Sequence, residues 1–192
     1  KKNNQVELHH LALPKQLAGI ITNFIDPHLY ARLPDILDAD FAVPVYGTAG
    51  VHPQHAAKFN EKLQVEVVNL LTHPKILAIG ECGLDQGHLN KATIQQQETC
   101  FRWQLEAAKK YHKPLVLHCK NMHEEMLEIA QQVLDERQKI HLHCFVGNHE
   151  NALKWTEAFP NLYIGLTNLV TNNKMKALRK AVAKIPLTRL LL

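Results

Sequence analysis

Three side chains that could bind a cation each stand at the end of a short, mostly apolar run in this sequence. They are Glu81 after residues 76–80, His118 after residues 115–117, and His143 after residues 140–142. A carboxylate and imidazole nitrogens are ligands that zinc, manganese and other divalent ions accept in proteins. An acid at the end of a buried strand is costly unless something pairs with it. The pattern therefore predicts a metal site made by these three residues.

The same residues taken singly are also consistent with structural roles. Glu81 could be the acid of a salt bridge, and a strand-end histidine could be a core residue with a satisfied hydrogen bond. His141 shares a strand face with His143, and we expect it to fill the interior rather than bind an ion. The adjacent pair His9–His10 points in two directions on any regular element, which indicates surface residues.

Histidine is the unusual feature of the composition. The chain has 13 histidines among 192 residues, which favours metal binding or acid–base chemistry. The formal charge of +4 permits a polyanionic partner without requiring one. The four cysteines form no CxxC pair, so their spacing excludes a zinc ribbon. No apolar run reaches the roughly 18 residues of a membrane span, and no signal-peptide pattern is visible, so we expect an intracellular protein, cytoplasmic or nuclear, without membrane contact.

Apolar runs alternate with segments of helical periodicity along the chain. Strands are predicted at residues 19–26, 43–51, 76–81, 115–120, 140–145, 162–170 and 189–192. Helices are predicted at residues 30–38, 54–71, 93–111, 122–134, 150–159 and 174–184. Strict alternation of strand and helix indicates a parallel sheet covered by helices. A length of 192 residues fits one domain.

Two architectures satisfy this alternation, namely an open doubly wound sheet and a TIM-type barrel. A dinucleotide-binding open sheet would carry a GxGxxG motif after an early strand, and none is present. In a barrel the C-terminal ends of the strands converge on one face, which would bring Glu81, His118 and His143 together. The candidate ligands therefore favour the barrel. The cysteine that follows each candidate ligand is then turned outward, toward the helices.

Several short motifs make the chain similar to TatD-type metal-dependent deoxyribonucleases. The matching segments, in order, are 50–53 (GVHP), 79–85 (IGECGLD), 114–120 (PLVLHCK), 143–147 (HCFVG), 163–165 (YIG) and 185–191 (IPLTRLL). The similarity extends from about residue 14 to residue 192 and is greatest to the animal TatD-domain proteins. Each motif alone is weakly specific, but several in register are highly specific.

The resemblance implies a fold and a function. The fold would be an α/β, TIM-type (β/α)8 barrel of the metal-dependent hydrolase type, holding two divalent ions (Mg, Mn or Zn). The activity would be hydrolysis of phosphodiester bonds in DNA or RNA by trimming of ends. By position, the resemblance assigns Glu81 as the carboxylate that bridges the metals, His118 and His143 as ligands of the second ion, and His52, Lys120 and Phe145 as residues that line the substrate cleft.

The chemistry of the side chains is consistent with these assignments. A carboxylate has two oxygens and can bridge two cations, whereas an imidazole cannot, so Glu81 suits the bridge and the catalytic centre. Two ions about 3.5–4 Å apart can supply the nucleophile and neutralise developing charge. Asp85, four residues after Glu81, is the second predicted catalytic residue, because it could orient a ligand.

The chain also departs from the family pattern. The Asp-x-His-x-His strand that opens such domains does not precede Gly19, and the aspartate that follows their last strand is not reached by Leu192. Lys120 stands where an arginine is usual, which keeps the charge but loses the planar guanidinium. We therefore expect residues 1–192 to form a single but partial TatD-like domain, with an incomplete barrel that lacks its first strand and the end of its last.

Three functions remain open at the level of sequence. The first is a two-metal nuclease with a nucleic acid as its substrate and a monomeric state. The second is an amidohydrolase-like enzyme acting on a small cyclic substrate, although Lys120 does not occupy the position of that class's modified lysine. The third is a catalytically impaired protein that binds nucleic acid, since ligands of the first metal are absent from the sequence.

Overall fold

A computed structural model describes residues 14–192 and contains one curled sheet of seven parallel strands. The strands are β1 Ile20–Phe24, β2 Val45–Ala49, β3 Ile76–Asp85, β4 Leu115–Lys120, β5 Ile140–His143, β6 Leu162–Gly165 and β7 Leu190–Leu191. Each strand pairs in parallel with the next strand along the chain. This sequential order is that of a TIM-type barrel and differs from the reversing order of a doubly wound sheet. The predicted α/β barrel class is therefore confirmed.

Helices follow the strands and cover the outside of the sheet. The α-helices are α1 Leu33–Asp38, α2 Glu61–Leu71, α3 Ile94–Lys110, α4 His123–Val133, α5 His149–Ala158 and α6 Lys176–Val182, and 3-10 helices occur at Pro27–Arg32, Pro53–Lys58, Asn168–Thr171 and Leu187–Arg189. Capping boxes begin two of them, with Thr93 paired to Gln96 and Asn148 paired to Asn151. These reciprocal bonds satisfy backbone N–H groups that a helix start leaves free. Within residues 14–192, no helix is both long and apolar enough to cross a membrane.

Several predicted boundaries differ from the structure; for example, the predicted strand 140–145 ends at His143. The predicted helix 54–71 is a 3-10 helix followed by α2, because the Asn60 side chain accepts a hydrogen bond from Leu63 N and starts a new helix. The predicted strand 162–170 ends at Gly165, and the Thr167 side chain caps the 3-10 helix that follows. The predicted strand 76–81 continues to Asp85. The His9–His10 pair lies outside the described residues.

The core lies between the outer face of the sheet and the helices. Leu117 on β4 and Trp155 on α5 are fully buried there. Cys82 and Cys119 belong to the same cluster, as the alternation predicted. The prediction was wrong for Cys144, because its backbone has a positive φ and its Sγ lies 2.9 Å from His143 Nε2 instead of among the helices. Burial raises the pKa of the Cys119 thiol to about 12, so this cysteine is an inert apolar packing residue.

We expect Leu117→Ala to lower the free energy of unfolding by about 2–5 kcal/mol, because it leaves a cavity in a fully packed layer. Leu153→Ala is the matched control, since this leucine is 45% exposed on the surface of α5. The control should cost less than about 1 kcal/mol. Urea denaturation of both variants measures the difference, and equal losses would contradict the location of the core.

Candidate metal centre

Glu81 is presented by a bulge in β3. In the pairing of β3 with β4, Gly80 lies opposite Val116 and Cys82 lies opposite Leu117, so Glu81 is an additional residue without a partner on β4. A bulge re-aims the side chain of the additional residue. Here it turns the carboxylate toward the end of the sheet where His118 and His143 lie.

Glycines on both sides of Glu81 allow β3 to approach β4 this closely. A Cβ atom at Gly80 would lie 2.4 Å from the carbonyl oxygen of Val116, and one at Gly83 would lie 2.0 Å from that of His118. Both glycines also have a positive φ, which side chains rarely tolerate. The Gly-Glu-Cys-Gly spacing is thus a steric requirement of the bulge.

The Glu81 carboxylate lies between two imidazoles. Its Oε2 is 3.6 Å from His118 Nδ1, and its Oε1 is 3.4 Å from His143 Nε2. Burial acts to raise the pKa of Glu81, but the His118 hydrogen bond and the nearby His143 and His52 outweigh it, so the pKa lies below its usual value. The carboxylate is therefore ionised at neutral pH although the residue is only 8% exposed.

Two polar side chains on the neighbouring strands fix the carboxylate from the other side. Asn23 Nδ2 on β1 donates to Glu81 Oε1 at 2.9 Å. Thr48 Oγ1 on β2 lies 3.0 Å from Asn23 Oδ1 and 2.8 Å from the carbonyl oxygen of Gly80, and shares its single proton between these acceptors. The threonine thereby sets the orientation of the Asn23 amide, with its NH2 group toward Glu81.

Asp85 contacts His118 on the side opposite Glu81. Its Oδ2 is 3.3 Å from His118 Nε2, and its side chain is 4% exposed. A cation bound at Nδ1 would leave the ring proton on Nε2, where this carboxylate accepts it. Carboxylate–histidine pairs of this kind orient metal ligands in many proteins. The position agrees with the predicted role of Asp85, which remains a prediction.

His52 has the opposite arrangement of its ring nitrogens. Its Nδ1 accepts a hydrogen bond from Gln54 N at 3.2 Å, and its ring contacts that of His118 with centroids 4.4 Å apart. Burial, followed by the neighbouring His118, lowers the pKa of His52 to about 4. The ring is therefore neutral at neutral pH with its proton on Nε2, which makes that nitrogen a donor rather than a lone pair.

The donor set fits a divalent cation. Ligand atoms of His52, Glu81 and His118 all lie within 4.8 Å of one another. Two ligands about 2.1 Å from one ion at a tetrahedral angle are about 3.4 Å apart, which is close to both Glu81–imidazole distances. The contacts of Glu81 with His118 and with His143 therefore fit a divalent cation held between carboxylate and imidazole.

The remaining predicted residues surround this centre unevenly. Lys120 Nζ is 3.9 Å from Asp85 Oδ1 and its side chain is about half exposed, so it extends toward the open end of the sheet. Phe145 is instead 2% exposed and packs against His123, with ring centroids 5.3 Å apart. His141 lies beside His143, with ring centroids 5.4 Å apart. A substrate contact by Phe145 remains a prediction, and its ring has almost no free surface.

Sequence reasoning missed Asn23 and Thr48. Both are polar residues inside strands that otherwise read as apolar, and such residues are usually kept in the interior by a hydrogen-bond partner. That signal was present at Asn23 in Ile20–Phe24 and at Thr48 in Val45–Ala49. Their partner could not be found by spacing, because Glu81 is 58 residues from Asn23 in the chain.

We expect the free energy of unfolding to fall as the pH drops from 6.5 toward 4. In the unfolded chain His52 takes up a proton near pH 6.5, but in the folded protein only near pH 4, so the unfolded state binds more protons in this interval. His52→Asn should remove about 2–3 kcal/mol of this pH dependence. Denaturant titrations at several pH values measure it, with the exposed His112→Asn as the matched control. An unchanged slope in His52→Asn would contradict the buried, neutral state of this ring.

Comparisons with known proteins agree with the fold and identify a family. A family model described as TatD related DNase matches residues 3–192. The human protein named 3'-5' RNA nuclease TATDN2 is 32% identical over 187 residues, covering 96% of this chain and 24% of that protein. The 3'-5' ssDNA/RNA exonuclease TatD of Citrobacter koseri is 34% identical over 148 residues, covering 77% of this chain and 56% of that protein. The chain thus spans about half the length of the bacterial relative.

Comparison with solved structures also finds proteins of the TatD type. The crystal structure of YJJV, a TatD homologue from Escherichia coli K12, superposes with a TM-score of 0.81 at 25% identity, covering 92% of this chain and 66% of that one. A TatD family hydrolase from Entamoeba histolytica, at 22% identity and a TM-score of 0.77, shares the fold. The resemblance predicted from the motifs is confirmed, and the chain belongs to the TatD related DNase family.

Proposed function

We propose that this chain carries the catalytic centre of a divalent-metal-dependent nuclease that hydrolyses phosphodiester bonds and trims the ends of DNA or RNA. The observation that carries the proposal is the ionised, buried Glu81 carboxylate with one imidazole opposite each oxygen. The names of the relatives, a 3'-5' RNA nuclease and 3'-5' ssDNA/RNA exonucleases, support the reaction and the class of substrate. We further propose that residues 1–192 act as one partial TatD-like domain and as a monomer.

Glu81 would bridge two ions, each of which has one oxygen of the carboxylate and one imidazole within reach. His118 would bind through Nδ1 and His143 through Nε2, the nitrogens that face the carboxylate. Mg, Mn and Zn are the candidate ions, and such ions activate water and neutralise charge on a phosphoryl group. Asn23 holds Glu81 Oε1 in place, and Asp85 holds His118 in the tautomer that leaves Nδ1 free.

Two further residues would position the substrate. The Nε2–H of His52 points away from Gln54 and suits a hydrogen bond to a phosphate oxygen, because a neutral imidazole can donate there without competing for the metal. Lys120 adds a positive charge at the open end of the sheet, 3.9 Å from Asp85. A substrate phosphate would compete with Asp85 for this charge.

A neighbouring cleft suits the rest of a nucleic acid strand. It has a volume of about 580 Å³, and its lining includes Asn121 and Val146, the basic Lys174 and Lys176, and the acidic Glu124 and Glu125, so a strand would follow the lysine side. Asn121 and Val146 directly follow Lys120 and Phe145 in the chain, so the cleft begins beside the metal centre. Its two lysines can contact phosphates without reading base sequence.

We expect Glu81→Gln to lower Mn²⁺ affinity and nuclease activity by more than about 100-fold, because the amide keeps the shape but loses the charge that holds the ions. The exposed Glu157→Gln is the matched control. The measurements are calorimetric Mn²⁺ titration and release of nucleotides from end-labelled single-stranded DNA and RNA, with a chelator arm. Nucleotide release that survives both the chelator and Glu81→Gln would refute the proposal, and nucleic acid binding without any turnover would favour the impaired binding protein.

His52→Ala separates substrate contact from metal binding. If His52 donates to the substrate, the variant should lower kcat/KM by about 10–100-fold, the size expected for a lost hydrogen bond to a charged group, while Mn²⁺ affinity falls by less than about tenfold. A large loss of Mn²⁺ affinity would instead make His52 a ligand, as its distance from Glu81 and His118 also allows.

A further inference from the structure

Helix α3 carries two buried glutamines whose side chains bind the backbone of Asp85, at the end of β3, and of Val51, shortly after β2. Gln97 and Gln104 are 1% and 0% exposed and lie seven residues apart, which places them on one face two turns apart. A buried amide must find partners for both its donor and its acceptor. Each of these amides finds them on the backbone of a different loop.

Gln97 binds the backbone of Asp85 from both sides. Its Oε1 accepts from Asp85 N at 2.8 Å, and its Nε2 lies 3.3 Å from the carbonyl oxygen of Asp85 and 3.1 Å from that of Ala92. The helix thereby fixes the residue whose carboxylate contacts His118. The Asp85 side chain contacts Gly87 N, Lys120 and His118, and Asn90 Nδ2 also donates to the Asp85 carbonyl oxygen at 3.1 Å.

Gln104 binds the backbone of Val51, the residue before His52, through both its donor and its acceptor. Its Oε1 accepts from Val51 N at 2.7 Å, and its Nε2 donates to the carbonyl oxygen of Val51 at 3.1 Å. Gly50 leaves room for the amide, since a Cβ there would lie 2.8 Å from Gln104 Oε1. The end of β2 and the loop that begins at His52 are thus held by the same helix face.

The two bound segments converge on one side chain. Asp85 contacts His118 at Nε2, and the His52 ring contacts the His118 ring. We propose that Gln97 and Gln104 are positioning residues that act through Asp85 and His52 to fix the ring of His118 for metal binding. The proposal deepens the proposed function, on which its metal-binding part rests. An aliphatic residue of similar length would fill the space but could not bind either backbone segment.

The state of the His118 ring can be observed without metal or activity. In the metal-free protein labelled with ¹⁵N-histidine, long-range ¹H–¹⁵N spectra resolve the ring nitrogens and the carbon-bound ring protons of His118. The wild type should give one set of these signals, because Asp85 and His52 hold the ring in one orientation. Gln97→Met should shift or broaden these signals and weaken Mn²⁺ binding about tenfold. Gln95→Met, at an exposed position on the same helix, is the matched control and should change neither.

A double-mutant cycle separates positioning from a general loss of stability. If Gln97 acts through Asp85, adding Gln97→Met to Asp85→Asn should leave the His118 signals unchanged and alter Mn²⁺ affinity by less than about twofold. The reason is that Asp85→Asn has already removed the carboxylate contact with His118. Gln104→Met should likewise move the carbon-bound ring protons of His118 in the wild-type background but not with His52→Asn. Double variants that combine Gln97→Met with His52→Asn, or Gln104→Met with Asp85→Asn, should lower Mn²⁺ affinity by the product of the two single effects, because these residues act on different contacts of His118.

Several outcomes would overturn the proposal. Wild-type His118 signals in a folded Gln97→Met variant would do so, as would equal effects of Gln97→Met with and without Asp85→Asn. If Gln97→Met does not fold, Gln97→Glu replaces it in the cycle, since its carboxylate still accepts from Asp85 N but no longer donates. A wild type that binds no Mn²⁺ would contradict the proposed function, and the ring spectra would still decide the role of the glutamines.

Discussion

The structure around the metal centre depends on keeping one carboxylate charged while it is nearly excluded from water. Burial alone would neutralise Glu81 by raising its pKa, and the protein counters this with two imidazoles and an amide donor. Glu81 and these neighbours come from four different strands, because β1 supplies Asn23, β3 supplies Glu81, and β4 and β5 supply the histidines. A parallel sheet in sequential order is the arrangement that brings four such strand ends to one place.

The bulge in β3 determines what the carboxylate can do there. A regular β3 would have placed the residue at this position opposite a β4 residue, whereas the bulge leaves Glu81 unpaired and free to lie between His118 and His143. The bulge requires glycine at positions 80 and 83, because any side chain at either position would clash with the backbone of β4. The local sequence is therefore constrained by packing as tightly as by chemistry.

The sequence predicted the fold class and the convergence of Glu81, His118 and His143, because strand periodicity and strand-end position are local signals. The resemblance to a family added the barrel type and the reaction. What remained hidden depends on contacts between distant residues: the bulge, the Asn23 amide on Glu81, and the glutamines of α3. The buried state of Phe145 was also hidden, because a phenylalanine after a strand end reads the same whether it faces a cleft or packs against His123.

The hydrogen bonds of His118 and His52 give these two neighbouring imidazoles different roles, one as a metal ligand and one as a hydrogen-bond donor. Asp85 faces Nε2 of His118, so Nδ1 is left for a cation beside Glu81, whereas Gln54 N donates to Nδ1 of His52, so Nε2 of that neutral ring carries the proton. Burial lowers the pKa of His52 to about 4 and keeps that ring neutral, which limits it to one proton and one direction. Identical side chains about 4.4 Å apart can thus serve as a ligand and as a donor, because the residues behind them differ. The role of each histidine is therefore set by the group that binds its ring, Asp85 or Gln54 N, as much as by the imidazole itself.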